Sequence, residues 1–316
     1  MSSKLIIGKL SEDDLYDKKI ILLDDLLKDR INKEAINYKT FSYASLNIDE
    51  RNKIFCYLDN LSEKIILEIK ENLNTLHNVD FDINDWKIII GPWLNNFLKL
   101  TYNRFYKVLG ALKDNDISEI TIFNCEDECF TPIDNMQLNM LSNNADWNAV
   151  MYSKIISFLK PSVEIKFQDL NLNFLINNTN SLKSTLKRYL SYFLSFLTKK
   201  NDALIVNSYL PVIENLKLHI YLKQFPTIWM PLKITNKLYN GELRKKIVLN
   251  YSNDDFEMFV KEMIPIVLPT CHLESFSKLK KIINNLQLPH NPKFIFTSNS
   301  YEFDEVFKLY VVLKKK

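Results

Sequence analysis

Glycine is scarce in this chain. Only four of the 316 residues are glycine, namely Gly8, Gly91, Gly110 and Gly241, whereas roughly 7% is usual in proteins. No two of them are close in sequence, so neither a G-x-G-x-x-G turn nor a Walker loop is present. Any nucleotide that this chain holds is therefore not held by a glycine-rich phosphate cradle.

Long apolar runs are also lacking. No stretch approaches the roughly 18 apolar residues needed to span a bilayer, and residues 1–5 do not begin a secretory signal. Four cysteines in so long a chain do not make a disulfide framework. We expect a cytoplasmic protein with reduced thiols and no transmembrane segment, and a peripheral contact with the inner face of the membrane stays open.

A strong charge of either sign is absent as well. Lys and Arg number 41 against 38 Asp and Glu, a net charge of +3. A nucleic-acid protein is expected to carry a basic stripe, so we expect no nucleic-acid partner. Hydrophobic residues make up 47% of the chain, which is typical of a globular protein.

The most informative local pattern is an aromatic stripe that contains one permanent charge. At 100° per residue, six residues fall within about 40° of one line along the face of a helix. They are Trp86, Trp93, Phe97, Leu100, Arg104 and Val108. The continuous stripe favours one helix kinked at Pro92 over a strand at 87–90 followed by a helix that begins at Pro92. Gly110 is expected to end the helix.

Arg104 and the two tryptophans each have two interpretations. A buried guanidinium needs a carboxylate, a carbonyl cluster or a bound anion, so Arg104 either pairs internally or binds an anionic substrate group. Trp86 and Trp93 fit the protein core, but they could also stack on a sugar or a base.

Strands and helices alternate along the rest of the chain. Strands are predicted at 19–23, 119–124, 163–167, 202–207 and 292–297. Helices are predicted at 47–78, 136–141, 146–159, 181–200, 212–224, 254–264, 273–286 and 304–313. The alternation predicts a parallel sheet with helices on both faces, in a single helix-rich α/β domain over 1–316 with a sub-boundary near 171–180.

Two strand-to-helix turns carry the remaining candidate binding residues. Ligands of parallel sheets sit outside the carboxyl ends of the strands, and polar side chains follow two of these ends: Asn207, Tyr209, Ser298, Asn299 and Ser300. These side chains could cap the following helices, which is the simpler interpretation, or help to bind an anion there.

Metal and catalytic motifs are weak. Cys125 and Cys129 have an unusual spacing for zinc, and Cys271-His272 is far away in sequence. The four histidines are scattered and form no triad with a serine or a cysteine. We expect no metal and no cofactor in this chain, and no catalytic residue can be assigned.

Three stretches resemble one known family. They are 86–94 with Arg104, 202–211 with Gln224-Phe225-Pro226, and 291–300 with Asp304, Phe307 and Lys308. Their order and spacing resemble a transferase family of bacterial surface-carbohydrate gene clusters, of the lipopolysaccharide O-antigen type. The resemblance covers roughly residues 50–313.

The resemblance implies a glycosyltransferase-like enzyme with a Rossmann-like sheet, similar to one half of a GT-B-type enzyme. Family members are longer, so the chain is expected to be the acceptor-side half or a truncated form that is inactive alone. The nucleotide-sugar donor would then bind with a missing C-terminal half, encoded as a second half or an adjacent-gene subunit. A glycan or a lipid-linked acceptor is the implied substrate.

A second function class stays open beside the transferase. The chain could be a non-catalytic remnant or a partner-binding subunit of a split enzyme, with Arg104 purely structural. Binding of a nucleotide sugar, alone or with a co-expressed second half, would separate these two interpretations.

Overall fold

The computed structural model describes residues 3–8, 20–23, 26–27, 38–40, 47–114, 117–172, 197–227, 229, 238–250, 252–286 and 288–314. The predicted helix at 181–200 and the sub-boundary at 171–180 lie almost entirely outside the described residues.

Five parallel strands form the first sheet. They are β1 (Ser3–Ile6), β2 (Ile20–Leu22), β3 (Tyr38–Thr40), β4 (Ile117–Asn124) and β5 (Glu164–Asp169), in the spatial order β3-β2-β1-β4-β5. Every neighbouring pair runs parallel. This is the strand order of the first five strands of a Rossmann sheet, so the predicted Rossmann-like fold class is confirmed.

The first strand begins earlier than the sequence analysis placed it. β1 precedes the predicted strand at 19–23 and occupies the centre of the sheet, where Leu5 is completely buried. Gly8 follows β1 and passes close to its neighbours, because a Cβ atom there would lie 2.5 Å from the Phe123 ring and 2.7 Å from Ala149 Cβ. A glycine is therefore required for this close approach.

Two long helices pack against each other. α1 (Ile48–His77) begins with a capping box between Asn47 and Glu50. α2 (Ile83–Asp114) runs without interruption through Pro92, so the single-helix prediction is confirmed. The expected end at Gly110 is wrong, because the helix continues for one more turn and buries Ala111.

A second, two-stranded sheet consists of β6 (Leu204–Val206) and β7 (Ile295–Thr297), which pair in parallel. The other helices are α3 (Asp127–Phe130), α4 (Asn135–Leu141), α5 (Ala145–Leu159), α6 (Val212–Tyr221), α7 (Gly241–Arg244), α8 (Asp255–Val267), α9 (Phe276–Asn285), α10 (Ser300–Phe303) and α11 (Glu305–Lys314). The cysteine-flanked segment 125–129, expected as a loop, contains the start of α3.

One continuous hydrophobic core joins the two sheets. It includes Leu5 and Ile120 of the first sheet, Leu204 of the second, and Phe307 of α11. Within the described ranges, no helix is long and apolar enough to cross a membrane.

Candidate functional site

The carboxyl ends of β6 and β7 lie side by side. Val206 pairs with Thr297, and the Ser298 N–H then donates to the Asn207 carbonyl at 3.3 Å. The Asn207 amide donates to the Ser300 hydroxyl at 2.9 Å. Two turns that lie about 90 residues apart thus meet in one place. We call it the strand-tip site: Asn207, Tyr209, Ser298 and Asn299, which are exposed, and Ser300, which is buried.

Tyr209 is the most prominent side chain of the strand-tip site. It is 75% exposed, and its phenol oxygen accepts a hydrogen bond from the Asn299 amide. Its backbone has a φ of 55°, and that of Asn207 a φ of 46°. Asparagine tolerates this left-handed region, but a tyrosine there costs of order 1 kcal/mol. Strained residues of this kind cluster at binding sites.

The side chains of these turns do not cap their own helices. Asn299 and Pro211, at the N-cap positions of α10 and α6, make no side-chain cap bond. Thr297 Oγ1 accepts the Ser300 N–H instead, at 3.1 Å. The Ser298 hydroxyl donates across to the Ser208 carbonyl at 3.1 Å. The capping interpretation is therefore wrong, because the polar side chains join one turn to the other.

Arg104 lies on α2 and bonds to the α4–α5 region. Its Nε and Nη2 donate to Asn148 Oδ1 at 3.0 and 2.8 Å, and Nη2 also donates to the Ser142 carbonyl at 3.0 Å. A fourth hydrogen bond, from Nη1 to the Leu100 carbonyl, is 3.3 Å long. The half-buried guanidinium therefore finds the carbonyl cluster that the sequence allowed, and it fixes α2 against α5.

Trp86 and Trp93 lie in the core, away from the strand-tip site. Both are completely buried. The Trp86 indole donates to Asn74 Oδ1 at 2.9 Å and packs 5.9 Å from the Phe276 ring. Trp93 stacks on Phe97. The core interpretation of both residues is confirmed, and neither ring presents a surface to a ligand.

A buried cluster of ionisable groups lies where the segment after β4 meets the segment after β7. Lys308 Nζ lies 2.7 Å from Glu305 Oε2, and His272 Nε2 lies 3.3 Å from the same oxygen. The Asn135 N–H donates to Glu305 Oε1 at 3.3 Å. We call this cluster the junction network: Asp134, Cys271, His272, Glu305 and Lys308. Sequence reasoning missed it, apart from noting Cys271-His272 and Lys308.

Burial controls the protonation of the junction network. It raises the pKa of Asp134 to about 6, and the nearby Glu305 carboxylate adds to the effect. Burial and the Lys308 ammonium lower the pKa of His272 well below its usual value. Burial also raises the pKa of the Cys271 thiol. The imidazole and the thiol are thus neutral near pH 7.

A short segment connects the junction network to the strand-tip site. Asn135 Nδ2 donates to the Glu302 carbonyl of α10 at 2.7 Å. Asp304 caps α11 by accepting the Phe307 N–H at 2.9 Å, and it also accepts the Trp229 indole N–H at 2.6 Å. Burial raises the pKa of Asp304. Buried hydrogen bonds on the segment that follows Ser300 therefore hold this turn in place.

Part of the junction network has the donor types of a metal site. Cys271, His272 and Glu305 offer ligand atoms that lie within 4.8 Å of one another, which is a donor set suited to zinc. However, the Lys308 ammonium already contacts the Glu305 carboxylate at 2.7 Å. A divalent cation would have to displace this ammonium, so the geometry favours an ion pair over a metal centre.

A second buried charge pair is structural. Arg244 donates to both oxygens of Glu274, at 2.7 and 2.8 Å. Its Nη1 donates to the carbonyls of Pro265, Ile266 and Leu268, each at 2.9 Å. The sequence offered no signal for this pair, because its partners come from three separate segments. Its bonds hold α7 against the end of α8.

A cavity of about 740 Å³ opens at the carboxyl end of β4. It lies between β4, α5 and α8, and its polar lining residues include Asn124, Lys154, Asp255 and Glu262. Lys154 pairs with Asp127 at 2.8 Å. The cavity is thus a second concave surface at a strand end, and it is lined by charges of both signs.

Comparison with known proteins identifies the family. The model described as LIC12162 family transferase matches residues 3–316 of the chain. This chain belongs to the LIC12162 transferase family. No curated protein and no solved structure matches it.

In this LIC12162 family member, neutral and ionisable groups are segregated. The side chains of the strand-tip site are amides, hydroxyls and one phenol. The Glu305 carboxylate and the Lys308 ammonium lie in the junction network, on the segment that follows Ser300 in the chain. The strand-tip site is thus suited to hydrogen bonding with a neutral polar ligand.

Proposed function

We propose that this family member is a glycosyltransferase-like transferase of bacterial cell-surface polysaccharide biosynthesis, of the lipopolysaccharide O-antigen type. We further propose that its strand-tip site binds the sugar part of the substrate. The observation that carries this proposal is the union of two distant strand ends into one polar surface with an exposed tyrosine.

The chemistry of the strand-tip site fits a sugar. Sugar hydroxyls are neutral donors and acceptors, which match the Asn207 and Asn299 amides and the Ser298 hydroxyl. The Tyr209 ring offers an apolar face for the C–H face of a pyranose and a polar phenol at its tip. The location also fits, because ligands of parallel α/β sheets bind beyond the carboxyl ends of the strands.

We propose that this chain supplies the acceptor side of the reaction, with a glycan or a lipid-linked glycan as the acceptor. Its four scattered glycines provide no phosphate cradle. A nucleotide-sugar donor would therefore be held by a further α/β unit, either a second half or the product of an adjacent gene. We assign no residue to the chemical step.

The experiment measures glycan binding at the strand-tip site. Oligosaccharides from the surface polysaccharide of the bacterium that makes this protein are titrated into it. Their binding is followed by saturation-transfer NMR. Tyr209→Ala is expected to weaken binding about ten-fold or more, because the stacking face and the bond to Asn299 are both lost.

Tyr221→Ala is the matched control. Tyr221 is also exposed and lies at the far end of α6, so its removal should leave glycan binding unchanged. Equal losses in the two variants, or saturation transfer that is insensitive to Tyr209→Ala, would contradict the proposal.

A second candidate function is a partner-binding subunit without catalytic activity of its own. The apolar side chains exposed on α6 and near β7 favour it, among them Val212, Ile213 and Phe296. Sugar transfer by the chain in the presence of a co-expressed second half would support the enzyme. A stable complex that transfers no sugar would support the subunit.

A further inference from the structure

Helix α6 turns an apolar stripe toward solvent. Val212, Ile213, Leu216 and Ile220 are between 50 and 83% exposed. On a helix these four positions fall within an arc of about 100°, which is the width of a stripe that normally faces a core. Of the ten residues of α6, His219 is the buried one. We call this stripe the α6 face.

Four exposed lysines surround the far end of α6, where β6 and β7 begin. Hydrogen bonds between Gln224 and Ala203, both 2.8 Å long, join the end of α6 to the start of β6. The Asn291 N–H donates to the Lys200 carbonyl at 2.9 Å, which joins the start of β7 to the same place. We call these lysines the lysine rim: Lys199, Lys200, Lys223 and Lys293.

Acidic residues are few around the rim. Asp202 is buried and accepts the Lys199 backbone N–H at 2.8 Å. Glu214, the acidic residue of α6, pairs with Lys217 at 2.8 Å. The rim is therefore a positive surface beside an apolar one.

Exposed aromatic side chains lie between the α6 face and the lysine rim. They are Tyr221, Phe225 and Phe294. Aromatic rings with a polar border, next to lysines whose long stems can lie along apolar surface, are typical of the membrane–water interface.

We infer that the α6 face and the lysine rim dock the protein on an anionic phospholipid bilayer. The apolar stripe would enter the boundary between headgroups and acyl chains, and the lysines would contact anionic headgroups. The charge pattern favours an anionic lipid surface, because exposed lysines beside an apolar stripe match anionic headgroups above acyl chains. The strand-tip site lies just before the start of α6 and would face a membrane-bound substrate.

The test is co-sedimentation with vesicles of phosphatidylcholine alone or mixed equally with phosphatidylglycerol. Binding is expected on the anionic vesicles and is expected to weaken with added salt. Lys199→Gln combined with Lys200→Gln should lower the partition coefficient about five-fold per lysine, since each contributes about 1 kcal/mol at an anionic surface. Ile213→Ser combined with Leu216→Ser should lower it about ten-fold or more.

Matched controls come from surfaces elsewhere on the chain. Lys245→Gln with Lys246→Gln removes another exposed lysine pair, and Met136→Ser with Met140→Ser removes two exposed apolar side chains from α4. Neither should change binding. All substitutions are at exposed positions, and thermal unfolding checks that each variant is folded.

The assay needs neither a sugar nor turnover, so its result is independent of the proposed transfer. No binding to anionic vesicles, or equal binding to neutral ones, overturns the inference. It is also overturned if sedimentation equilibrium without vesicles shows a dimer that Ile213→Ser with Leu216→Ser dissociates. A second copy of the chain would then cover the α6 face.

Discussion

The two sheets are built from the same kind of strand pairing but are covered differently. In the first sheet, Leu5, Ile21 and Ile120 are buried between helices. In the second, β6 is equally buried, whereas Phe296 of β7 is 45% exposed. Parallel sheets normally have both faces covered. The central strands of the first sheet are therefore enclosed, whereas one strand of the second sheet is partly open to solvent.

Truncating one side chain in each sheet tests this comparison, and it has the largest expected effect on stability. Ile120→Ala in β4 should lower the free energy of unfolding by about 2–5 kcal/mol, because it leaves a cavity in a filled core. Phe296→Ala in β7 should cost less than about 1 kcal/mol, since much of the ring is already in water. Urea unfolding measures both, and similar losses would show that β7 is as well covered as β4.

The junction network connects the two sheets. The pH dependence of the free energy of unfolding tests the role of its Asp134 carboxyl. Burial raises the pKa of Asp134 to about 6, compared with about 3.9 in an unfolded chain. Between those values the folded state binds more protons than the unfolded state, so this residue makes stability fall as the pH rises from about 4 to 6. Asp134→Asn keeps an N-cap for α4 and removes the charge. It should stabilise the protein by about 1–2 kcal/mol at neutral pH and not at about pH 4.

Asp254→Asn is the control for that prediction. Asp254 caps α8 in the same way, by accepting the Glu257 N–H at 2.8 Å, but it is exposed. Its replacement tests the exchange of a charged cap for a neutral one at an exposed position. If the Asp134 and Asp254 variants share one pH dependence, burial at the junction is not the cause.

The smallest expected effect concerns the strain in the second sheet. Tyr209→Gly removes a side chain from a left-handed position but also removes the bond from Asn299. These changes oppose each other, so the melting temperature should stay within a few degrees of that of the unmodified chain. Leu210→Gly, at the next position, relieves no such strain and should lower it further. The reverse order would show that Tyr209 is unstrained.

The helices around the first sheet could be predicted because their signals are local. Asn47 and Glu50 form a capping box that is visible in the sequence, and the aromatic stripe continues across Pro92. A proline inside a helix costs about 3 kcal/mol, but Trp86, Trp93 and Phe97 bury their side chains on one face of α2. Their packing holds the helix together through the proline. β1 was missed because its residues, Ser3 to Ile6, mix polar and apolar side chains, whereas the predicted β2 lies in an unbroken apolar run.

The strand-tip site was predicted in part, and the junction network was not. Strand ends of a parallel sheet meet by topology, so Asn207 and Ser300 could be placed together from position alone. Asp134 and Glu305 are about 170 residues apart, and neither belongs to a local motif. Likewise, the periodicity of α6 shows that it has an apolar face, but nothing local indicates whether the chain covers that face.

The close approach at Gly8 has a consequence for how the sequence can diverge. A methyl group there would displace β1 from Phe123 and Ala149, whereas one at Gly91 would meet nothing within 4 Å and one at Gly241 only ordinary van der Waals contact. Space is thus available for an alanine at Gly91 and at Gly241, but not at Gly8. Selection would retain this glycine in descendants of the gene long after those two had drifted.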